Sequence, residues 1–275
     1  MSLYNSAPVS EILWSLRARS LSKARKSFLG SEPEGLHDLR VALRRVEETA
    51  AALGKKKIER RSRSLARSLS PLRQLEVDRR LLSRLREMGQ MPESFAAGLE
   101  ARWGAEYAER VEKAARVARS GKWRRLERRL RRAARRTQDD IPLRLEIARR
   151  RLETRLSPPA EDATDKRLHR YRIAVKRARY LAEDLAACGV PGLEGRIARE
   201  KELQEALGRW NDIDLFRERL KETREESEVR GSVGLVLELD HLIAALEGTV
   251  AWARREALAA SGRFARVLPF LERSA

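Results

Sequence analysis

The chain has 275 residues and a mass of 31.5 kDa, enough for one large or two ordinary domains with a sizeable core, which excludes a small scaffold held by staples. Its 60 Lys and Arg against 41 Asp and Glu give a formal charge of +19 and a pI of about 10.9, which point to a polyanionic partner. A hydrophobic content of 42% with 37% charged residues describes a chain that folds, and the lone Cys188 excludes an internal disulfide or a thiolate metal cage.

Apolar residues recur with helical period almost throughout. Ile12, Leu13, Leu16 and Leu21 open an amphipathic helix over about 9–29, with Gly30 as its C′ residue. The turn Ser31-Glu32-Pro33-Glu34-Gly35 leads to a helix over 36–53, closed by Gly54. Basic helices follow over about 60–88 and 92–120, and after Gly121 another runs over 122–138. Asp139-Asp140-Ile141-Pro142, with Pro142 suited to a first helical turn, divides the chain into halves 1–138 and 139–275. A helix then runs to about 156, others cover 164–187 and 193–222, and a long apolar-periodic stretch over 229–260 precedes a short terminal helix after Gly262. No run has the period of two that a strand requires. The expected fold is therefore all-α, built of antiparallel bundles. No apolar run reaches membrane-spanning length and the N-terminus has no signal-peptide pattern, so a cytoplasmic protein with no membrane partner is expected.

The charge is unevenly placed. Residues 1–137 hold 34 basic and 16 acidic side chains, net +18, while the remainder holds 26 and 25, net +1. Arg outnumbers Lys 49 to 11, a bias toward the planar fork that grips phosphate oxygens in pairs, although GC-rich coding produces the same bias.

An internal repeat accompanies this imbalance. Leu36-His37-Asp38-Leu39-Arg40-Val41-Ala42-Leu43-Arg44-Arg45 aligns with Leu168-His169-Arg170-Tyr171-Arg172-Ile173-Ala174-Val175-Lys176-Arg177 at a shift of 132 residues, which also carries Arg17 onto Arg149. A slightly larger shift carries Leu69-Ser70-Pro71-Leu72-Arg73-Gln74-Leu75-Glu76 onto Leu207-Gly208-Arg209-Trp210-Asn211-Asp212-Ile213-Asp214. At 100° per residue, Arg40, Arg44 and Arg45 fall within about 80° of His37, whereas Leu39, Leu43, Val46 and Ala50 lie opposite. His169, Arg172, Lys176 and Arg177 repeat the arrangement. Two helices thus carry one cationic and one apolar face each, and a ladder of guanidinium forks and imidazole donors suits a chain of phosphates. The plainer reading is a solvated basic face, but that does not require the same cation to recur at the same place.

These segments resemble the CHAD domain family, the conserved histidine α-helical domains. The resemblance implies two pseudo-symmetric four-helix-bundle-like halves forming one domain around a basic channel, binding of inorganic polyphosphate, and association with polyphosphate granules. It would place His37, Arg40, Arg44, Arg45, His169, Arg172, Lys176 and Arg177 along the channel, with Arg17 and Arg149 as additions from the preceding helices. The family's first half commonly has an acidic pair after Leu-Arg, but Gln74 and Glu76 stand there, while Asp212 and Asp214 keep the carboxylates in the second half. Asp212 and Asp214 are read as capping or salt-bridging groups rather than a metal site.

Catalytic patterns are missing: no Walker A, no Gly-x-Gly-x-x-Gly, no His-Glu-x-x-His and no Cys-x-x-Cys. His241, amid Leu237, Leu239, Leu242 and Ile243, is read as structural, and Cys188 as a small buried residue. The densest basic run, residues 122–136, keeps Trp123, Leu126, Leu130 and Ala133 on one side, and its cations form either a solvated face or a further wall for a polyanion. Trp14, Trp103, Trp123, Trp210 and Trp252 are scattered among apolar positions, which disfavours a base-stacking platform. The expectation is a non-enzymatic protein without metal or cofactor, binding polyphosphate or another linear polyanion. Nucleic-acid binding and a scaffold for acidic protein partners are the alternatives.

Overall fold

The structure is a computed structural model and describes residues 8–136, 140–153 and 156–273, with side chains as far as Arg266. The described residues form ten α-helices and no strand: α1 (Val9–Leu29), α2 (Gly35–Ala52), α3 (Lys56–Ser68), α4 (Ser70–Glu87), α5 (Glu93–Arg119), α6 (Gly121–Ala134), α7 (Ile141–Glu153), α8 (Asp165–Ala187), α9 (Glu194–Val229) and α10 (Val233–Arg273). No helix among the described residues is long and apolar enough to cross a membrane.

Apolar periodicity became helix because each stripe meets another. On α2, Leu36, Leu39, Leu43, Val46 and Ala50 are all buried, and on α6 Trp123, Leu126 and Leu130 are fully so. At about 1.5 to 3 kcal/mol for each fully buried large aliphatic or aromatic side chain, such stripes outweigh the weak intrinsic preference of helices this rich in charge. The α1 helix packs on α2 and α6, α2 on α3, α7 on α8, α8 on α9, and α9 on α10.

Two cores result, and both draw on the two sequence halves. The larger joins Leu13, Trp14, Leu39, Leu43, Trp123 and Leu130 to Leu145, Leu168, Val175, Leu207 and Trp210. The smaller joins Leu75, Leu82, Phe95, Leu99 and Trp103 of α4 and α5 to Phe216 and Leu220 of α9 and Leu239, Leu242 and Leu246 of α10. There Trp103 and Phe216 meet edge to face at 6.0 Å, a favourable aromatic geometry.

Several boundaries differ from the sequence reading. The basic region over 60–88 is two helices, broken at Leu69 with Pro71 in the first turn of α4, where the ring lacks the N–H that a helix interior needs. The aligned Leu207-Gly208 lies within an unbroken α9. Gly262 does not start a separate helix: α10 continues through it, because a single Gly in a helix costs little when Ala257 and Phe264 on either side are buried. Gly30 is not the left-handed closing residue, since its φ is −84°, and Ser31 and Glu34 carry the positive φ angles instead. Gly54, with φ of +69°, does close α2 as expected. The halves' boundary at 138/139 lies outside the described residues.

The α1–α2 turn positions the first motif. A Cβ on Gly35 would stand 2.8 Å from the Phe28 backbone nitrogen and 2.9 Å from its Cα, so glycine is what lets α2 start directly against α1. The Arg80 guanidinium donates to Glu34 at 2.7 Å, tying the turn to α4. At the second motif the Thr164 hydroxyl caps α8 by accepting from the Arg167 backbone N–H at 3.3 Å.

Candidate polyanion-binding site

The apolar sides of α2 and α8 turn inward, and their basic sides meet α4 and α9. Leu168, Val175 and Ala178 are fully buried beneath α8 just as Leu39 and Leu43 are beneath α2. Four of the expected cations, Arg40 and Arg44 from α2 with Arg172 and Lys176 from α8, are thereby brought close enough to repel one another.

That repulsion marks the protonation behaviour. Burial, followed by Arg172, Arg40, Arg44 and Arg179, pushes the Lys176 ammonium down to about 7. Burial, then Arg44 and Arg73, pushes Arg40 down to about 10. Arg172 is lowered by burial, with the Asp212 carboxylate opposing the shift. Among the described residues, none of Arg40, Arg172 and Lys176 forms an ion pair, and Arg40 Nη1 and Arg172 Nε are shielded from water with no hydrogen-bond acceptor. Buried donors left unsatisfied are costly, which makes this a site short of an acceptor.

The histidines stand at the open side of the cluster. His169 Nδ1 lies 3.1 Å from Asn211 Oδ1 on α9. His37 is held below the ordinary imidazole range by partial loss of hydration and by the Arg73 guanidinium on α4, and His169 by partial loss of hydration and Arg172. Both are therefore mainly neutral at pH 7, each with one N–H to donate. Arg73 and Asn211 occupy aligned positions of the second repeated block, so each motif histidine has its neighbour at the same repeat position, a cation in the first half and an amide in the second.

The other expected residues are committed to carboxylates. Arg44 donates to Glu47 at 2.7 Å while still facing the cluster. Arg45 of α2 pairs with Glu183 of α8 at 2.8 Å, and Arg177 of α8 pairs with Glu48 of α2 at 2.7 Å, so the two motif helices are cross-linked in both directions. Arg17 is buried and bonded to the fully buried Asp184, which also accepts from the Thr49 hydroxyl. Arg149 is buried against Glu146 at 2.7 Å and against Glu153. Arg17 ties α1 to α8, whereas Arg149 is paired within α7, and both present little surface to a ligand.

Sequence reasoning passed over Arg73, Arg179 and Tyr180. The Tyr180 ring, 1% exposed, lies between cations, with the Arg179 guanidinium 5.1 Å, the Arg45 guanidinium 5.5 Å and the Lys176 ammonium 5.8 Å from its centre. An aromatic face attracts each of them and offsets part of their mutual repulsion. Arg73 was legible in the repeated block, but Tyr180 aligns with Glu48 and carried no repeat signal.

Asp212 and Asp214 lie within α9 and so cap no helix, while Asp214 takes the salt-bridging role expected of it, with Arg217 at 2.6 Å. Other expectations need correction. His241 and Trp252 are exposed, because the inward face of α10 passes instead through Leu239, Leu242 and Leu246. Cys188 is half-buried, with its thiol pushed up to about 11 by burial. Among the described residues no three His, Cys, Asp or Glu are grouped to hold a metal ion.

The sequence model of the CHAD domain matches residues 12–221, a span that contains both motif helices and both repeated blocks. The chain belongs to the CHAD domain family. Among solved structures, the CHAD domain from the plant Ricinus communis is similar at 20% identity over 94% of each chain, with a TM-score of 0.69. PptA from Streptomyces chartreusis is similar at 16% identity over 93% of this chain and 99% of that one, with a TM-score of 0.70. No curated protein matches the chain. The two structures show that this CHAD chain shares their fold.

Proposed function

We propose that the protein binds inorganic polyphosphate without transforming it, along a basic channel between the two motif helices. The observation that carries this reading is the α2–α8 cluster: Arg40, Arg172 and Lys176 crowd together with Asp212 nearby but form no ion pair among the described residues, and burial followed by that crowding pushes the Lys176 ammonium down to about 7. Elsewhere this chain neutralises its arginines readily, as with Arg63 on Glu47 and Glu59 or Arg224 on Asp240. A phosphate chain would supply the missing acceptors, with guanidinium forks and neutral imidazoles donating to successive phosphates. Membership of the CHAD family supports polyphosphate as that chain, and association with polyphosphate granules is proposed on the same ground. The repeat adds that the halves 1–138 and 139–275 each supply one wall of a pseudo-symmetric domain.

The test is competition at physiological salt among long-chain polyphosphate, short polyphosphate and double-stranded DNA at matched phosphate concentration. Long-chain polyphosphate should win, because one chain engaging both motif helices gains effective concentration at the second. Preference for DNA would overturn the reading.

A further inference from the structure

Most of the excess charge of the first half is not at the motif helices, and part of it lines a second groove. Between α3 and α6 lies a cleft of about 580 Å³ walled by Lys57, Arg60, Arg61, Lys122, Arg125 and Arg129, with Ser64 and the buried Leu65 as its polar and apolar floor. No carboxylate contributes to that wall. Among the described residues none of these six cations forms an ion pair, whereas their neighbour Arg63 on the same helix is held by Glu47 and Glu59. Six cations sharing one cleft raise the local positive potential, and the walls of the cleft limit how far water can screen it.

The groove has a counterpart that serves as an internal comparison. The shift of 138 residues that carries Leu69 onto Leu207 also carries Arg61, Leu65 and Arg125 onto Arg199, Leu203 and Arg263. Those three line the equivalent cleft between α9 and α10. There, however, Glu202 and Glu205 enter the wall, and Glu202 accepts from Arg199 at 3.0 Å. Ser64 stands in the first half where Glu202 stands in the second, so the same architecture is partly neutralised in one half, by two carboxylates against four arginines, and holds no carboxylate in the other.

We propose that the α3–α6 groove is a second site for a phosphate chain, separate from the α2–α8 cluster, so that one molecule holds two segments of polyphosphate. This rests on the proposed function for the nature of the ligand. The two sites share no lining residue, and the groove contains no aromatic ring on which a base could stack, which favours a bare phosphate chain over single-stranded nucleic acid. With both sites filled from one long chain the attachment is bivalent, and with segments of different chains the protein becomes a cross-link between them.

The experiment is titration calorimetry of the full chain with tripolyphosphate and with long-chain polyphosphate, on four proteins whose folding is checked by circular dichroism. These are the native chain, Arg61→Glu/Arg125→Glu in the groove, Arg172→Glu/Lys176→Glu in the cluster, and Arg124→Glu/Arg131→Glu at exposed positions of α6 turned at least about 100° away from Arg125, outside both sites. Lys57→Gln/Lys122→Gln, at two exposed positions, repeats the groove test without adding negative charge. The native chain should bind tripolyphosphate in two independent events, each double variant of a site should lose one of them, and the groove variants should bind the long chain at least tenfold more weakly. One binding event in the native chain, with the groove variants no weaker than Arg124→Glu/Arg131→Glu, would overturn the second site and leave the cluster reading intact. Loss of all binding in the groove variants with none in the cluster variant would overturn the cluster reading instead. A single-stranded DNA oligonucleotide that displaces tripolyphosphate from the groove with an affinity depending on base sequence would overturn the choice of ligand.

Discussion

Lys176 ties anion binding to proton uptake. In the free protein its ammonium is pushed down to about 7, from an ordinary 10.5, by burial and by four neighbouring arginines. A phosphate chain lying against it reverses the second cause, so the bound form returns toward the ordinary value. At pH 8 roughly nine-tenths of Lys176 is neutral when free and nearly all of it is charged when bound, so binding should take up about 0.9 proton, falling to about 0.1 at pH 6. Affinity should accordingly weaken by up to about tenfold per pH unit between roughly 8 and 10. Titration of long-chain polyphosphate in two pH 8 buffers of different ionisation enthalpy reads the uptake directly. Lys176→Arg, which keeps the charge without titrating, should retain binding and lose the uptake. Binding of normal strength at pH 8 with no proton exchanged would refute the reasoning, because the chain would then be bound without contacting Lys176.

Reversing Arg40 and Arg44 to Glu, or Arg172 and Lys176 to Glu, should weaken polyphosphate affinity more than tenfold at physiological salt, since each charge-assisted contact contributes about 1.5 to 3 kcal/mol. Equal losses from Arg128→Glu/Arg132→Glu, whose change in net charge is the same, would leave only a diffuse basic surface. Arg17→Ala should cost about 3 to 5 kcal/mol in urea unfolding, because it strands the fully buried Asp184, and a loss within experimental error would show that water reaches that carboxylate. Asp78, pushed up to about 7 mainly by burial, binds its proton more tightly folded than unfolded, so its contribution should fall as pH rises from about 4 to 7 and stay low above that. Asp78→Asn should flatten that part of the stability profile and raise the melting temperature at pH 8, and a lowered one would mean that the charge is needed. The salt dependence of polyphosphate binding should be steep, and a log–log slope near zero would argue against ionic capture.

Local pattern was sufficient for the helical class and, on α2 and α6, for which side faces inward, because apolar stripes at spacings of three and four have one stable use in a chain of this size. Leu36, Leu39, Leu43 and Val46 are buried as their spacing demands, and the basic residues opposite them were legible as a ladder. The repeat also made Arg73 and Asn211 recoverable, since they occupy the same place in two aligned blocks. Family membership was visible in the same segments.

What sequence could not sort was the fate of each charge. Arg40 and Arg45 flank the same histidine on one helix, yet Arg45 is neutralised by Glu183, a residue 138 positions away, while the buried Arg40 Nη1 has no acceptor. Arg17 carries the same fixed charge, and it is buried because α8 brings Asp184 to it. The three cations around Tyr180 and the bare groove between α3 and α6 likewise depend on which helices pack together. A side chain's type and its spacing along a helix are local properties, so they can be read in order along the chain. Whether a cation meets a carboxylate, a ring or only another cation is decided by Coulomb interactions that fall off over a few ångströms, between residues that only the tertiary fold makes neighbours.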